Sequence, residues 1–394
     1  MNLIKIAWKN IASKPLSTFL SLILLAFGVG IISLLVILET RLQEQFDRNI
    51  KDIDMVLGAK GSPLQLILAN VYHIDAPTGN INRKEAQKIM RHPFIEEGIP
   101  LAYGDNYKMF RIVGTTHQYH KHYGVELAEG ELFEGAYNTT IGSKVAKELG
   151  LKVGDEFYSA HGLKDETDVH TNKTFKVVGI FKESKSVVDQ LILTEMESIW
   201  GVHEQVGEET GEDPSEEITA VLLKKKNPLA IVMLPSLIKD SNMQIGLPAI
   251  EINRLTQNFG IGMGTLRAIA VIIMVLSFIS VFISLYNSMR ERKYELALMR
   301  SMGASRSTLF KLILFEGLLM TVVGIFFGLL FSRIGMLILS WKMQDQFNYD
   351  VTNFGILNLE WLLVGITIFV GVLASLLPAI TAVRLDISKI LADG

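Results

Sequence analysis

The histidines in the first half of the sequence are the side chains best suited to chemistry. His117, His120 and His122 lie within six residues, in the stretch THQYHKHYG, and His161 and His170 follow. Neutral imidazoles at short spacing are good ligands for Zn²⁺ or a similar metal. On a strand His120 and His122 share a face and His117 does not, whereas in a turn all three can converge. Two interpretations stay open, a zinc site at His117, His120 and His122 or polar surface histidines without a ligand.

Other residue patterns do not indicate an enzyme. The chain contains no cysteine, which excludes disulfides, thiolate metal sites and cysteine nucleophiles. Residues 141–147, IGSKVAK, have the Gly-Ser-Lys order of a phosphate-binding loop but lack its upstream glycine. We find no nucleophile and base at catalytic spacing and no metalloprotease motif. The sequence predicts a chain without catalytic residues and, zinc apart, without a cofactor of its own.

The composition indicates a membrane protein. Of 394 residues, 49% are hydrophobic and only 20% are charged, and the mean hydropathy is +0.32. A net charge of −3 is too small to indicate nucleic-acid binding. Lipid-facing segments explain these values better than an unusually large soluble core does.

Four stretches are long and apolar enough to cross a bilayer, which takes about 20 residues of helix. Residues 16–38, 268–289 and 361–383 carry no charge. The fourth stretch, 312–341, holds Glu316 and Arg333, each a few residues inside one end, where a side chain can reach the interface. Their separation corresponds to about 25 Å of helix, so they cannot pair directly within it.

The lysine and arginine content of the short flanks predicts the orientation. Residues 1–15 hold three lysines and no acid, and residues 290–311 hold six basic residues against two glutamates. Residues 342–360 hold one lysine against three acids. Both termini and residues 290–311 are therefore predicted to be cytoplasmic, which leaves residues 39–267 outside.

The outer region is predicted to be mixed α/β. Alternating apolar residues predict strands at 108–114, 175–181, 190–194 and 219–225. Helices are predicted at 141–150, 228–239 and in the glycine-flanked stretch 58–80, and residues 38–50 extend the first span as a stalk. In the stretch 58–80, Leu64, Leu68 and Val71 form a stripe that is covered either by the core or by a partner.

The predicted fold class is thus an integral membrane α-helical protein with four transmembrane helices and a large extracytoplasmic mixed α/β domain inserted between helices 1 and 2. The predicted segments are an interfacial cytoplasmic helix at 1–15, spans at 16–38, 268–289, 312–341 and 361–383, the outer domain with its stalk at 39–267, a cytoplasmic coupling segment at 290–311, a short outer loop at 342–360 and a cytoplasmic tail at 384–394.

Small residues four apart occur within the spans: Ala26 and Gly30, Gly324 and Gly328, Gly371 and Ser375. Such pairs allow close helix packing, either within one bundle or between two copies. Ionisable residues are nearly absent from the middle of the spans, where polar pathways usually place them. A path for a hydrophilic substrate through the membrane is therefore not supported.

The coupling segment is the most charged part of the membrane region. Residues 290–302 contain no proline or glycine, so they are predicted to continue the second span as a helix up to Gly303, where the chain reverses. Tyr294, Leu298 and Met302 fall on one stripe, which suggests a docking surface rather than a merely solvated loop. The residues predicted to couple this segment to a partner are Tyr294, Glu295, Leu298, Met299, Arg300, Met302, Gly303 and Ala304.

Residues 290–330 closely resemble the cytoplasmic turn and third span of ABC-transporter permeases of the MacB/FtsX type. The family pattern is R-x-x-E-x-A-L-x-R-x-x-G-A-S, followed by Glu-Gly in the next span, here Glu316 and Gly317. Residues 6–30 resemble the family's N-terminal elbow and first span, and residues 376–391 resemble its C-terminal end. The large domain after the first span resembles the MacB-like branch.

This resemblance implies a homodimer in the bacterial cytoplasmic membrane that carries two cytoplasmic ABC ATPase subunits. ATP and Mg²⁺ would be bound by the ATPase, whose dimerisation would move the outer domains by mechanotransmission. A periplasmic adaptor and membrane lipid are further expected partners, and nucleic acid is not. The alternatives are a signalling role, such as control of a cell-wall hydrolase of the FtsX kind, and a zinc-related transport role.

Overall fold

The computed structural model describes residues 3–13, 15–161, 168–202, 217–347 and 355–384, of which 3–5, 11, 12, 161, 168–172 and 343–347 are described by their backbone alone. The chain divides into two compact units. The helical unit comprises residues 1–42 and 258–394, and the α/β unit comprises residues 43–257. Residues 348–354 of the predicted outer loop and 385–394 of the predicted tail lie outside the described residues.

The helices of the described residues fall into long membrane helices and short helices. They are α1 (Leu3–Ala12), α2 (Pro15–Ile50), α3 (Pro63–Asn70), α4 (Arg83–Met90), α5 (Gln118–His122), α6 (Ser143–Leu149), α7 (Met196–Val202), α8 (Ala230–Leu237), α9 (Pro248–Glu291), α10 (Lys293–Ser301), α11 (Arg306–Phe347) and α12 (Asn358–Val383).

Four helices in the described part of the chain are long and apolar enough to cross a membrane, as predicted: α2, α9, α11 and α12. Two of them extend well beyond the predicted spans. The predicted stalk at 38–50 is the last part of α2. Helix α9 begins at Pro248, twenty residues before the predicted span at 268, and at 1.5 Å per residue its 44 residues measure about 66 Å.

The small residues within the spans pack against neighbouring helices of the same bundle. A methyl group on Gly328 of α11 would lie 2.8 Å from Val29 Cβ of α2 and 3.0 Å from the carbonyl oxygen of Ala26. Likewise, a methyl group on Gly371 of α12 would lie 2.2 Å from Thr321 Oγ1 of α11. Of the two alternatives for these pairs, the structure supports packing within one subunit.

Three glycines of α9 pack against nothing, in contrast to Gly328 and Gly371 of the spans. Gly260, Gly262 and Gly264 lie within the helix, and a methyl group on any of them would meet no atom within 4 Å. Helix α2 has no glycine between Gly30 and its end at Ile50. Beside this part of α9, Arg267 pairs with Glu39 of α2.

The α/β unit is built on a sheet that is antiparallel in its first half and mixed in its second half. Its order in the described residues is β12-β1-β11-β3-β4-β9-β6-β8-β5, and β7 joins β3 and β8 beside this path. Among the described strands, β4 with β9 and β6 with β8 are the pairs that run in parallel. The strands are β1 (Met55–Ala59), β3 (Ile95–Tyr107), β4 (Phe110–Gly114), β5 (Leu127–Gly130), β6 (Asn138–Ile141), β7 (Glu156–His161), β8 (Asp168–Phe181), β9 (Leu191–Thr194), β11 (Ala220–Lys225) and β12 (Met243–Gly246), while β2 (Ile81–Asn82) and β10 (Glu217–Ile218) form a separate pair.

The core of the α/β unit includes the ends of both long helices. Phe46 and Ile50, at the end of α2, and Ile252 and Leu255, at the start of α9, pack with the buried residues of the sheet. Each helix is therefore continuous from a membrane span into this core.

The glycine-flanked stretch 58–80 contributes helix α3 to the same core. Ser62 caps the helix by accepting a hydrogen bond from the Gln65 amide. Of the predicted stripe, Val71 is fully buried, and Leu64 and Leu68 are half-buried. Core packing thus accounts for Val71 fully and for Leu68 in part.

Candidate functional site

The coupling segment contains a break that the sequence did not predict. The prediction of one helix through residues 290–302 is wrong, since α9 ends at Glu291 and α10 begins at Lys293. Between them Arg292 has φ −99° and ψ 18°, outside the helical range. Its side chain points inward and is only 12% exposed, so the break places a guanidinium inside the helical unit.

The reversal after α10 occurs at Gly303, as predicted. Gly303 has φ +98°, a conformation that other residues adopt only with strain. The turn is closed by backbone hydrogen bonds from the Gly303 amide to the Arg300 carbonyl and from the Ala304 amide to the Met299 carbonyl, both 3.0 Å. Ser305 Oγ then accepts a hydrogen bond from the Thr308 amide at the start of α11.

Helix α10 has one exposed apolar stripe and one buried face. Tyr294, Leu298 and Met302 are 52%, 43% and 73% exposed. Leu296 on the opposite face is buried with residues of α1, α9, α11 and α12. Met299 packs with this buried group, which corrects its assignment to the docking surface. Of the other predicted coupling residues, Glu295 and Gly303 are exposed, and Arg300 and Ala304 are half-buried.

Glu316 of α11 pairs with Arg292 at the break between α9 and α10. Its carboxylate is 3% exposed and accepts hydrogen bonds from Asn10 Nδ2 of α1 at 2.5 Å and from Arg292 Nη2 at 3.3 Å. The Glu316 carboxylate is therefore buried among α1, the α9–α10 junction and α11 instead of extending into solvent. A buried ion pair of this kind is costly to break, since the remaining charge has no partner.

Helix α1 takes part in this arrangement through one face. Ala7 is buried with Leu309 and Leu312 of α11, and Asn10 reaches Glu316. Trp8 is exposed on another face, as expected for a helix that lies along a membrane interface. The side chains of Leu3, Ile4 and Ile11 lie outside the described residues.

Arg333 belongs to a second buried cluster, at the other end of α11. Its two terminal nitrogens bind the two oxygens of Glu360 at 2.8 Å each, and Glu360 is fully buried. Ser33 of α2 donates to the same carboxylate at 2.5 Å, and its hydroxyl oxygen lies 2.9 Å from that of Ser332. As predicted, the two charges of α11 do not pair with each other. Each charged side chain instead takes part in contacts that connect three helical elements.

The three clustered histidines do not form the predicted ligand set. They lie at the start of α5 and within it, and residues two positions apart on a helix point about 200° away from each other. His117 Nε2 lies 2.7 Å from the Phe133 carbonyl oxygen, and His120 stacks on Phe181. No group of three histidine, aspartate or glutamate side chains in the described residues is placed to hold a metal ion. The side chains of His161 and His170 lie outside those residues.

His73 is a buried polar residue that sequence reasoning missed. It has φ +58°, and its two ring nitrogens lie 2.7 Å from the hydroxyls of Tyr103 and Tyr119. Two further tyrosines donate hydroxyl bonds to the last turn of α2, Tyr72 to the Phe46 carbonyl and Tyr123 to the Asn49 carbonyl. A single histidine in a turn offers no spacing signal, so only the fold reveals this network.

Acid should destabilise the α/β unit through His73. Burial, reinforced by Arg111, holds the pKa of His73 well below its usual range. In the unfolded chain His73 has its ordinary pKa of about 6.5 and so binds a proton more readily than in the folded chain. The free energy of unfolding is therefore highest above that pH and falls at lower pH, by at most about 1.4 kcal/mol per pH unit. Thermal unfolding of the full chain in detergent should show this fall.

The variant His73→Asn provides the control, because asparagine tolerates a positive φ and does not titrate in this range. Its unfolding temperature should depend less on pH than that of the wild type. An equal pH dependence in both proteins would assign the effect to other groups, such as His120 and His122, whose pKa values burial also lowers.

Comparison with known proteins identifies both parts of the chain. Residues 267–387 match the family model described as FtsX-like permease C-terminal, and residues 18–230 match the MacB-like periplasmic core domain. No curated protein matches the chain.

Two solved structures are similar to the chain over about half its length. The periplasmic region of MacB from Actinobacillus actinomycetemcomitans is 13% identical, with a TM-score of 0.36, over 53% of this chain and 96% of that one. The extracellular domain of the noncanonic ABC-type transporter YknZ from Gram-positive bacteria is 13% identical, with a TM-score of 0.30, over 48% of this chain and 98% of that one.

The core-domain match alone spans 213 of 394 residues (18 to 230), which is more than half of the chain. The permease match covers the regions of the three later membrane helices. Together with the α/β unit between the first and second membrane helices, these matches make the chain a multi-pass membrane protein of the MacB/FtsX-type ABC transporter permease family.

Proposed function

We propose that this chain converts ATP hydrolysis by a separate cytoplasmic ATPase into movement of its α/β unit outside the bacterial cytoplasmic membrane. The observation that carries the proposal is the continuity of α2 and α9, each of which runs unbroken from a membrane span into the core of the α/β unit. A displacement of either span is then delivered directly to that core.

The ATPase docks on the exposed stripe Tyr294, Leu298 and Met302 of α10. Its apolar side chains are otherwise unexplained on a short helix between two membrane helices. The ion pair of Arg292 with Glu316 supports the proposal, because it ties α10 to α1 and α11 so that a push on α10 reaches the bundle. In this arrangement both termini are cytoplasmic, and two copies of the chain carry two ATPases, as the family implies.

Spin labels can test this movement cleanly because the chain has no native cysteine. Lys239→Cys puts one label on an exposed position of the α/β unit. In the full chain purified with its ATPase, we expect a distance between the labels of two copies that shifts when ATP and vanadate are added. Absence of any such distance would contradict the homodimer, and an unchanged distance during ATP hydrolysis would contradict the movement.

A further inference from the structure

The inner face of α10 carries a basic residue at each end. Lys293 and Arg300 are seven positions apart, which is about two helical turns, so they lie on the same face of the helix. Leu296 and Ala297 lie between them on this face, and both are buried. Because Leu296 packs with residues of α1, α9, α11 and α12, this face is turned toward the helical bundle.

Both basic side chains are half-buried and lack an acceptor. In the described part of the chain, neither the Lys293 ammonium nor the Arg300 guanidinium donates a hydrogen bond or forms an ion pair. The Nε of Arg300 is buried and has no hydrogen-bond partner. Two carboxylates near α10, those of Glu295 and Glu316, both contact Arg292 instead. A partly buried cation without an acceptor is costly, so this face is suited to an anion from outside the chain.

Helix α10 lies at the level of the lipid headgroups. Helix α9 ends at Glu291, two residues beyond the predicted span, and the apolar stretch of α11 begins at residue 312. The connection between these two spans therefore runs through the interfacial layer of the bilayer, where lipid phosphates are found. Basic side chains at the ends of membrane helices are a known type of binding site for anionic headgroups.

We propose that the inner face of α10 binds the phosphate of an anionic phospholipid through Arg300, with Lys293 as a second cation. A guanidinium can bind phosphate through two parallel N–H bonds, and an ammonium adds three donors and a point charge. The ATPase is a poorer partner for this face, because its proposed docking stripe, Tyr294, Leu298 and Met302, lies on the other side of α10.

The test uses the full chain in detergent, with phosphatidylglycerol as the anionic probe and phosphatidylcholine as the zwitterionic one. Phosphatidylglycerol should raise the unfolding temperature and remain bound in native mass spectrometry, whereas phosphatidylcholine should act much more weakly. Arg300→Gln should weaken phosphatidylglycerol binding about tenfold or more. Without lipid this variant should be at least as stable as the wild type, because no acceptor in the described residues loses a donor.

Two further variants separate this site from general attraction between charges. Lys293→Gln should weaken phosphatidylglycerol binding by a smaller factor than Arg300→Gln, since an ammonium cannot form the paired bonds. Arg306→Gln removes an exposed cation at the start of α11 and should weaken binding much less than Arg300→Gln.

Four results would overturn the assignment. Equal stabilisation by phosphatidylcholine would mean that the site does not select an anionic lipid. Equal losses in Arg300→Gln and Arg306→Gln would mean that lipid is attracted by the overall charge alone. Equal stabilisation by water-soluble glycerol phosphate would identify a free phosphate as the ligand instead of a lipid. No lipid effect, combined with loss of ATPase stimulation in Arg300→Gln, would assign the guanidinium to a carboxylate of the ATPase.

Discussion

Replacing Leu298 with aspartate should abolish the stimulation of the partner ATPase while the chain still inserts into the membrane. Leu298 is 43% exposed in the middle of the apolar stripe of α10 and makes no part of the buried core. A carboxylate buried at an apolar contact without a partner costs several kcal/mol, enough to weaken docking by more than about a hundredfold. The measurement is ATP hydrolysis by the complex reconstituted in lipid, with and without the permease.

The matched control for this variant is Ser307→Asp. Ser307 is exposed in the first turn of α11, where an acid is favourable because it faces the positive end of the helix dipole. This variant adds the same charge near the same turn and should leave coupling intact. Normal ATPase stimulation in Leu298→Asp would show that the ATPase docks elsewhere.

Replacing Glu316 with leucine should cause the largest loss of stability. The change leaves the guanidinium of Arg292, 12% exposed, without its main partner and removes the hydrogen bond to Asn10. Breaking one half of a buried ion pair costs about 3–5 kcal/mol. Thermal unfolding of the full chain in detergent should report this loss, and coupling should fail as well because α10 loses its support.

The double variant Arg292→Leu, Glu316→Leu separates the unpaired charge from other effects. It should be more stable than Glu316→Leu alone, because no charge is then left without a partner. Glu295→Gln, at the exposed end of the same cluster, should change stability little, since exposed ion pairs contribute little. A double variant no more stable than the single one would show that the pair does not hold the break.

Features that depend on local composition were predictable from the sequence. The four spans follow from apolar length, and the strands 110–114, 191–194 and 220–225 follow from apolar alternation. Gly303 could be assigned to the reversal because it ends a run of good helix formers.

Features that depend on distant partners were not predictable. Residues 290–302 favour a helix throughout, and the break at Arg292 accompanies an ion pair with a residue 24 positions later. Glu360 sits just before an uncharged stretch, where nothing marks it as the partner of Arg333. The histidine spacing left open a zinc site or histidines without a ligand, and the short helix α5 turns His120 and His122 to different sides.

The three unpacked glycines of α9 make the two connections to the α/β unit mechanically unequal. Each glycine weakens a helix by about 1 kcal/mol relative to alanine, and no neighbouring side chain compensates at Gly260, Gly262 or Gly264. Helix α2 has no glycine from residue 31 to its end, so it lacks such a weak point. Helix α9 has its three glycines just outside the α/β unit, which ends at residue 257. If the α/β unit moves as proposed, bending is therefore expected to concentrate in residues 260–264 of α9 rather than in α2.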